Sequence, residues 1–169
     1  MGMDGDLMAY LKMKGLKEYE FKLSRLEANT EKIAGNAIYE GAKIVADEIK
    51  NSINSLGVEK SHKGTSDNLL SGITEDQKQG LKDGFGIASM EYKNGYYSVK
   101  LGFDGYNNTK TKKYPKGQPN VLIARAVESG TSFRKKNPFV RPAVRRTKAK
   151  AEQTMAKVID EEITKTMKG

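Results

Sequence analysis

Apolar residues recur at helical spacing in three stretches of the chain. Leu16, Tyr19, Leu23 and Leu26 step by three and four residues, which predicts a helix from Leu16. After a weaker joint at Ala28-Asn29-Thr30, Ile38, Ala42, Val45, Ile49 and Ile53 fall on one face, with Lys43, Asp47, Glu48 and Lys50 mostly off it. This is the strongest amphipathic pattern in the sequence. Gly35 and Gly41 lie inside it, each costing about 1 kcal/mol relative to alanine. Such glycines permit close packing against a neighbour. In the last third, Val144, Ala151, Met155, Val158, Ile159 and Ile163 share a face and predict a long final helix. Pro142 suits its first turn, where a missing N–H costs nothing.

Between these helices the period changes. "FGIASMEYK" and "YYSVKLGFD" flank Asn94-Gly95, whose residues supply the positive φ angles of a type I′ turn. A hairpin follows, with Tyr97, Val99, Leu101 and Phe103 on one face of its second strand and the buried face of the first strand unclear. Thr74 and Gln77 have capping-box spacing, so a short helix is expected from Glu75 to Lys82, ended by Gly84. Asn120 is expected to cap another short helix through Val127, stopped by Gly130. Residues 54–68 read as a polar loop and residues 1–15 as a mobile arm. Residues 105–120 form a long polar loop of the kind that is functional or disordered. The fold expected is a single α+β domain over 16–169. It has a long N-terminal helix, a small antiparallel sheet built around the Asn-Gly hairpin, a short helix, and a long C-terminal helix packed on the sheet.

Composition narrows the chemistry. The chain has 169 residues, no cysteine and one histidine. Thiolate nucleophiles, disulfides and cysteine-based zinc sites are thereby excluded. His62 lies in a polar loop beside Ser61 and Lys63, and no nucleophile, metal or phosphate-loop motif is present, so the chain reads as a non-enzyme without metal or cofactor. The N-terminus has early acids and no long apolar run, and no segment approaches the roughly 20 apolar residues that span a bilayer. A soluble protein, made inside the cell, is expected.

Charge is concentrated in one region. Residues 105–150 hold thirteen Lys and Arg and one acid, Glu128, so they carry +12 and leave −3 for the rest of a chain of net +9. Such a region attracts nucleic acid, an acidic protein, or an acidic face of a neighbouring copy; a solvated basic face is the plain alternative. The candidate contact residues are Lys110, Lys112, Lys113, Lys116, Arg134, Lys135, Lys136, Arg145 and Arg146. Phe133, Phe139 and Tyr114 are interleaved with them, as a nucleic-acid grip would require. Yet no recognised nucleic-acid motif is visible, and the last helix turns acidic at Asp160, Glu161 and Glu162.

Within this region "AVESGT" is followed by "NPFVRPAV". The pair resembles the signature of the siphophage tail-completion, or head–tail joining, family, the gene-product-ten-like minor tail components of lambdoid phages. Val127, Glu128, Gly130 and Thr131 match its first half; Pro138, Phe139, Arg141, Pro142 and Ala143 match its second. "GTSDNLLSGI", residues 64–73, resembles a further element of that family less cleanly. Ser129 departs from the pattern, where an aromatic is common, and Phe133 is a candidate to fill the vacated pocket. The resemblance covers roughly residues 16–167.

The resemblance implies a structural protein of a tailed phage or prophage at the neck or upper tail. It would form a homo-oligomeric ring, contact neighbouring neck or tail proteins, and reside in the virion after synthesis in the host bacterial cytoplasm. DNA in the ring lumen is a possible further contact, and a basic nucleic-acid-binding protein using residues 105–150 is the alternative function. Three expectations about particular residues follow. Phe139 anchors the start of the last helix against the hairpin. Glu128, the only acid near Arg141, pairs with it. The arm and the 105–120 loop order only on assembly.

Overall fold

A computed structural model describes residues 9–12 and 29–168. In chain order the elements are β1 (Ala9–Lys12), α1 (Thr30–Asn54), α2 (Glu75–Gly84), β2 (Phe85–Ile87), β3 (Glu91–Lys93), β4 (Tyr96–Phe103), α3 (Asn120–Ser129) and α4 (Val140–Lys168). Among the described residues the fold is α+β: four helices and a small antiparallel sheet. The helix expected from Leu16 lies outside the described residues.

The long helix α1 buries the face its periodicity marks, with Ile38, Ala42, Val45, Ile49 and Ile53 all inaccessible to solvent or nearly so. One side of α1 lies on the sheet and the other on α4. Gly41 permits the second contact: a Cβ there would lie 2.6 Å from Met155 Cγ and 3.3 Å from the Ala151 carbonyl oxygen. Ala151, Met155, Ile159 and Ile163 of α4 join the same core, as their shared face predicts. The final helix packs mainly on α1 and also touches β1 of the sheet; Phe139, just before its first residue, meets Phe103 of β4.

In the sheet β4 is central. β1 pairs with one edge of it, and β2 and β3 follow one another along the other edge. The Asn94-Gly95 turn has the positive φ values its sequence requires, 54° and 81°. Ile87 pairs with Leu101 and Glu91 with Ser98, so four steps on one strand face three on the other. That extra residue is a bulge, and it reverses which side chains point inward. Phe85 and Ile87 share the face of Leu101 and Phe103 before it, and Tyr92, opposite Tyr97, lies on that same face after it while staying exposed, which is why alternation alone leaves the first strand's buried face unclear.

Two segments read as arm and loop carry local structure. Within the segment read as a mobile arm, Ala9–Lys12 forms a strand in register with β4, Ala9 opposite Leu101 and Lys12 opposite Ser98; the rest of the arm lies outside the described residues. The 105–120 loop is not structureless. Asn107 Oδ1 accepts from the N–H of Thr109 at 2.8 Å and of Gln118 at 3.2 Å, and the Asn107 N–H donates to the Gln118 carbonyl. One buried side chain thus closes the loop from inside.

Helix ends follow their signals closely. Thr74 and Gln77 form the reciprocal capping box that opens α2. Gly130 ends α3 at φ 74° and ψ 168°, a backbone state open essentially to glycine alone. Asn120, however, is the first residue of α3 rather than its cap. Its side-chain amide donates to the Asp104 carbonyl at 2.8 Å and ties the loop's far end to the end of β4.

Candidate functional site

The two halves of the signature meet at one joint. Val127, buried in α3, accepts the Asn137 N–H on its carbonyl at 2.8 Å, so the chain returns beside its own helix. Gly130 makes the reversal possible: a Cβ there would lie 3.0 Å from the Lys136 nitrogen. Thr131 then forms a tight turn with Arg134 through reciprocal backbone bonds of 3.0 and 3.3 Å, and its Oγ1 accepts from Phe133 N–H.

Glu128 is the centre of the joint. Its side chain is fully buried. Oε2 accepts from the Phe139 N–H at 2.8 Å and the Val140 N–H at 2.9 Å, and Oε1 accepts from the Arg141 N–H at 3.0 Å. The opening N–H groups of a helix have no partner within it. At α4 that set is Phe139, Val140 and Arg141, because Pro142 has no N–H. Glu128 takes all three, and its negative charge also opposes the positive end of the helix dipole. This explains the pairing of a glutamate with a proline-bearing helix start far along the sequence. The expected ion pair is present but secondary: Arg141 Nε stands 3.9 Å from Oε1, on a side chain 68% exposed.

Phe139 holds the apolar side of the joint. Its ring meets Phe103 of β4 edge-on at 6.0 Å between centroids, and Phe103 in turn meets Phe85 at 5.1 Å. Ala143, one turn into α4, is fully buried. Pro138, Phe139, Pro142 and Arg146 also line a cleft of ≈ 270 Å³ against the end of α1, whose other walls include Glu48, Ser52 and Leu56. Arg146 bridges this cleft, its Nη2 lying 2.7 Å from Glu48 Oε1.

The segment 64–73 joins the same assembly. Leu70 N–H donates to the Phe133 carbonyl, and Lys135 N–H donates back to the Leu70 carbonyl, both at 2.9 Å. Gly64 packs directly under the Phe133 backbone. Arg134 is buried, and its Nη1 donates to the Gly72 carbonyl. Burial pushes the Arg134 guanidinium below its ordinary pKa, and the nearby Glu59 opposes the shift. Glu59 also accepts from the N–H groups of Ser71 and Gly72.

These contacts divide the candidate basic residues. Arg134 is structural and is not available to a partner, against its place among the expected contacts. Arg146 is engaged with Glu48. Lys110, Lys112, Lys113, Lys116, Lys135, Lys136 and Arg145 are exposed. Phe133 is 55% exposed, so it does not fill the pocket vacated at Ser129, which is itself exposed. His62 is half-buried in its loop, and among the described residues no group of three His, Cys, Asp or Glu could hold a metal ion. No helix among them is long and apolar enough to cross a membrane.

Sequence reading missed Glu59, Arg134 as a core residue, and Asn107. Only Asn107 carries a local signal, the Asn-x-Thr spacing of a side chain that turns back on its own backbone. Compared with known proteins, the chain matches no family, no curated protein and no solved structure.

Proposed function

We propose that this protein is a structural component of a tailed phage or prophage, acting at the neck or upper tail to join or complete the head–tail connection. The observation that carries the reading is the convergence at Glu128. Segments 127–131 and 138–143, which bear the signature, meet at Glu128, while segment 64–73 is bonded to residues 133–135 between them; several residues matching the signature have specific tasks in the joint. Val127, Phe139 and Ala143 are buried; Gly130 and Pro142 set the backbone; Glu128 binds the helix start.

The protein would work as a ring of identical subunits that also touches neighbouring neck or tail proteins, in the virion, after synthesis in the host bacterial cytoplasm. A ring is built from heterologous contacts, in which one face of each subunit meets a different face of the next. A chain with +12 in residues 105–150 and −3 elsewhere suits such pairing. Tyr92 and Tyr96, 65% and 42% exposed on the hairpin, offer aromatic surface for a neighbour. No catalytic role, cofactor or membrane contact belongs to this reading.

Sedimentation velocity at rising protein concentration tests it. A discrete closed oligomer, seen as rings by electron microscopy, is expected. A strict monomer that binds DNA tightly would instead favour the second reading, a basic nucleic-acid-binding protein, which rests on the exposed lysines of the 105–120 loop.

A further inference from the structure

The basic loop has an internal architecture that its composition does not suggest. Thr111 and Tyr114 exchange backbone hydrogen bonds, each 3.1 Å, and Thr111 Oγ1 also accepts from the Tyr114 N–H at 3.0 Å. Lys112 and Lys113 are therefore the two tip residues of a closed turn. Lys110 and Lys116 flank it, and all four side chains are exposed. Below the turn, Asn107 closes the base, and Gly117 at φ 121° packs against the Asn107 carbonyl, where a side chain would not fit. The base is fixed in turn to α2 through Gln118 Oε1, which accepts from the Gln77 amide at 2.8 Å.

The four lysines have no acid to answer them. None forms an ion pair with a described residue, whereas Lys43, Lys100, Arg141, Arg146, Lys148, Lys157 and Lys165 all do. Residues 105–119 include no Asp or Glu. Lys113 lies over the Tyr114 ring at 5.5 Å, and Tyr106 is 67% exposed at the loop's edge.

We infer that the Lys110–Lys116 turn is a preformed finger that contacts the phosphate backbone of double-stranded DNA. The chemistry favours DNA over an acidic protein. Protein interfaces are depleted in lysine, whereas lysine serves phosphates as a point charge. The finger has four lysines and no arginine, a set of mobile point charges suited to phosphates in any sequence. It favours a duplex over a single strand because Tyr114 is half-buried beneath Lys113, which leaves Tyr106 alone as a stacking face. The finger deepens the joining reading, in which DNA passes through the ring, yet it does not depend on ring formation.

The test is fluorescence anisotropy of a labelled 20-base-pair duplex titrated with the full chain at several salt concentrations. The unaltered protein should bind with affinity that falls steeply as salt rises. Replacing Lys110, Lys112, Lys113 and Lys116 together by Ala should reduce the slope of log affinity against log salt by up to about 3.6, given about 0.9 per neutralised phosphate. The fold should survive, because all four side chains are exposed and none is ion-paired with a described residue, and unchanged thermal unfolding would show it. A control replacing Lys148, Lys157 and Lys165, all paired within the protein, should keep most of the affinity and slope. The inference is overturned if the loop variant binds with the original affinity and slope. It is also overturned if the unaltered protein ignores the duplex at low salt, the result expected of a loop that meets an acidic protein. Sedimentation of the same samples without DNA reports ring formation separately, so either idea can fail alone.

Discussion

Glu128 binds the backbone of Val140, twelve residues further along the chain, through Oε2 at 2.9 Å. With its bonds to Phe139 and Arg141, the carboxylate caps α4 from a different helix. Glu128→Ala should destabilise the protein by about 3 kcal/mol, because buried donors lose their acceptor. Glu128→Gln keeps one acceptor oxygen but turns an N–H₂ group towards donors, and should cost about 1–2 kcal/mol. Arg141→Ala should cost less than about 1 kcal/mol, as an exposed partner contributes little. Denaturant unfolding of the three variants checks this order. Equal losses at Glu128 and Arg141 would make the ion pair, rather than the cap, the main interaction.

Gly130 tests the reversal between the two halves. Its backbone state is one that side-chain-bearing residues avoid, and a Cβ would press on the Lys136 nitrogen at 3.0 Å. Gly130→Ala should lose about 1–3 kcal/mol. A neutral result in equilibrium unfolding would mean the chain can turn there by another path.

Gly41 sets two effects against each other. Alanine would raise helix propensity by about 1 kcal/mol. It would also press on Met155 Cγ and the Ala151 carbonyl, and overpacking of this kind costs about 1–3 kcal/mol. A backbone oxygen and a Cγ near the root of its side chain yield less readily than a flexible tip, so net destabilisation is expected. Combining Gly41→Ala with Met155→Ala should cost less than the sum of the two single changes. Strict additivity in unfolding experiments would place the strain elsewhere.

Arg134 and the loop lysines should separate cleanly. Arg134→Ala removes a buried guanidinium that bonds the Gly72 carbonyl and should lower the unfolding midpoint. Its loss of stability should be about 1.5–3 kcal/mol, the range for a hydrogen bond to a charged group. The duplex salt slope should stay unchanged in protein that remains folded. A reduced slope with unaltered stability would return Arg134 to the contact surface.

Much of this fold is written locally. The face of α1, the Asn94-Gly95 turn, the Thr74 capping box and the stop at Gly130 each depend on residues a few positions apart. What could not be read depends on partners that folding brings in from far away. Glu128 appears in sequence as one acid in a basic tract; only the return of residues 137–141 along α3 makes it a cap. Arg134 belongs to "RKK" and looks like surface until segment 64–73 covers it. Strand β1 has no turn linking it to β4, so nothing local announces the pairing. The 105–120 loop looks unstructured because its order comes mainly from one asparagine that reaches both of its ends.

The joint itself is tested most directly by amide hydrogen exchange at Phe139, Val140 and Arg141. These N–H groups precede the first internal bonds of α4, so their protection should come from the Glu128 carboxylate. In the unaltered protein they should be protected, and in Glu128→Gln they should exchange at least about tenfold faster, while amides in the middle of α4 stay slow. Fast exchange of all three in the unaltered protein, or equal protection in both proteins, would contradict the claim that Glu128 ties the two halves into one unit.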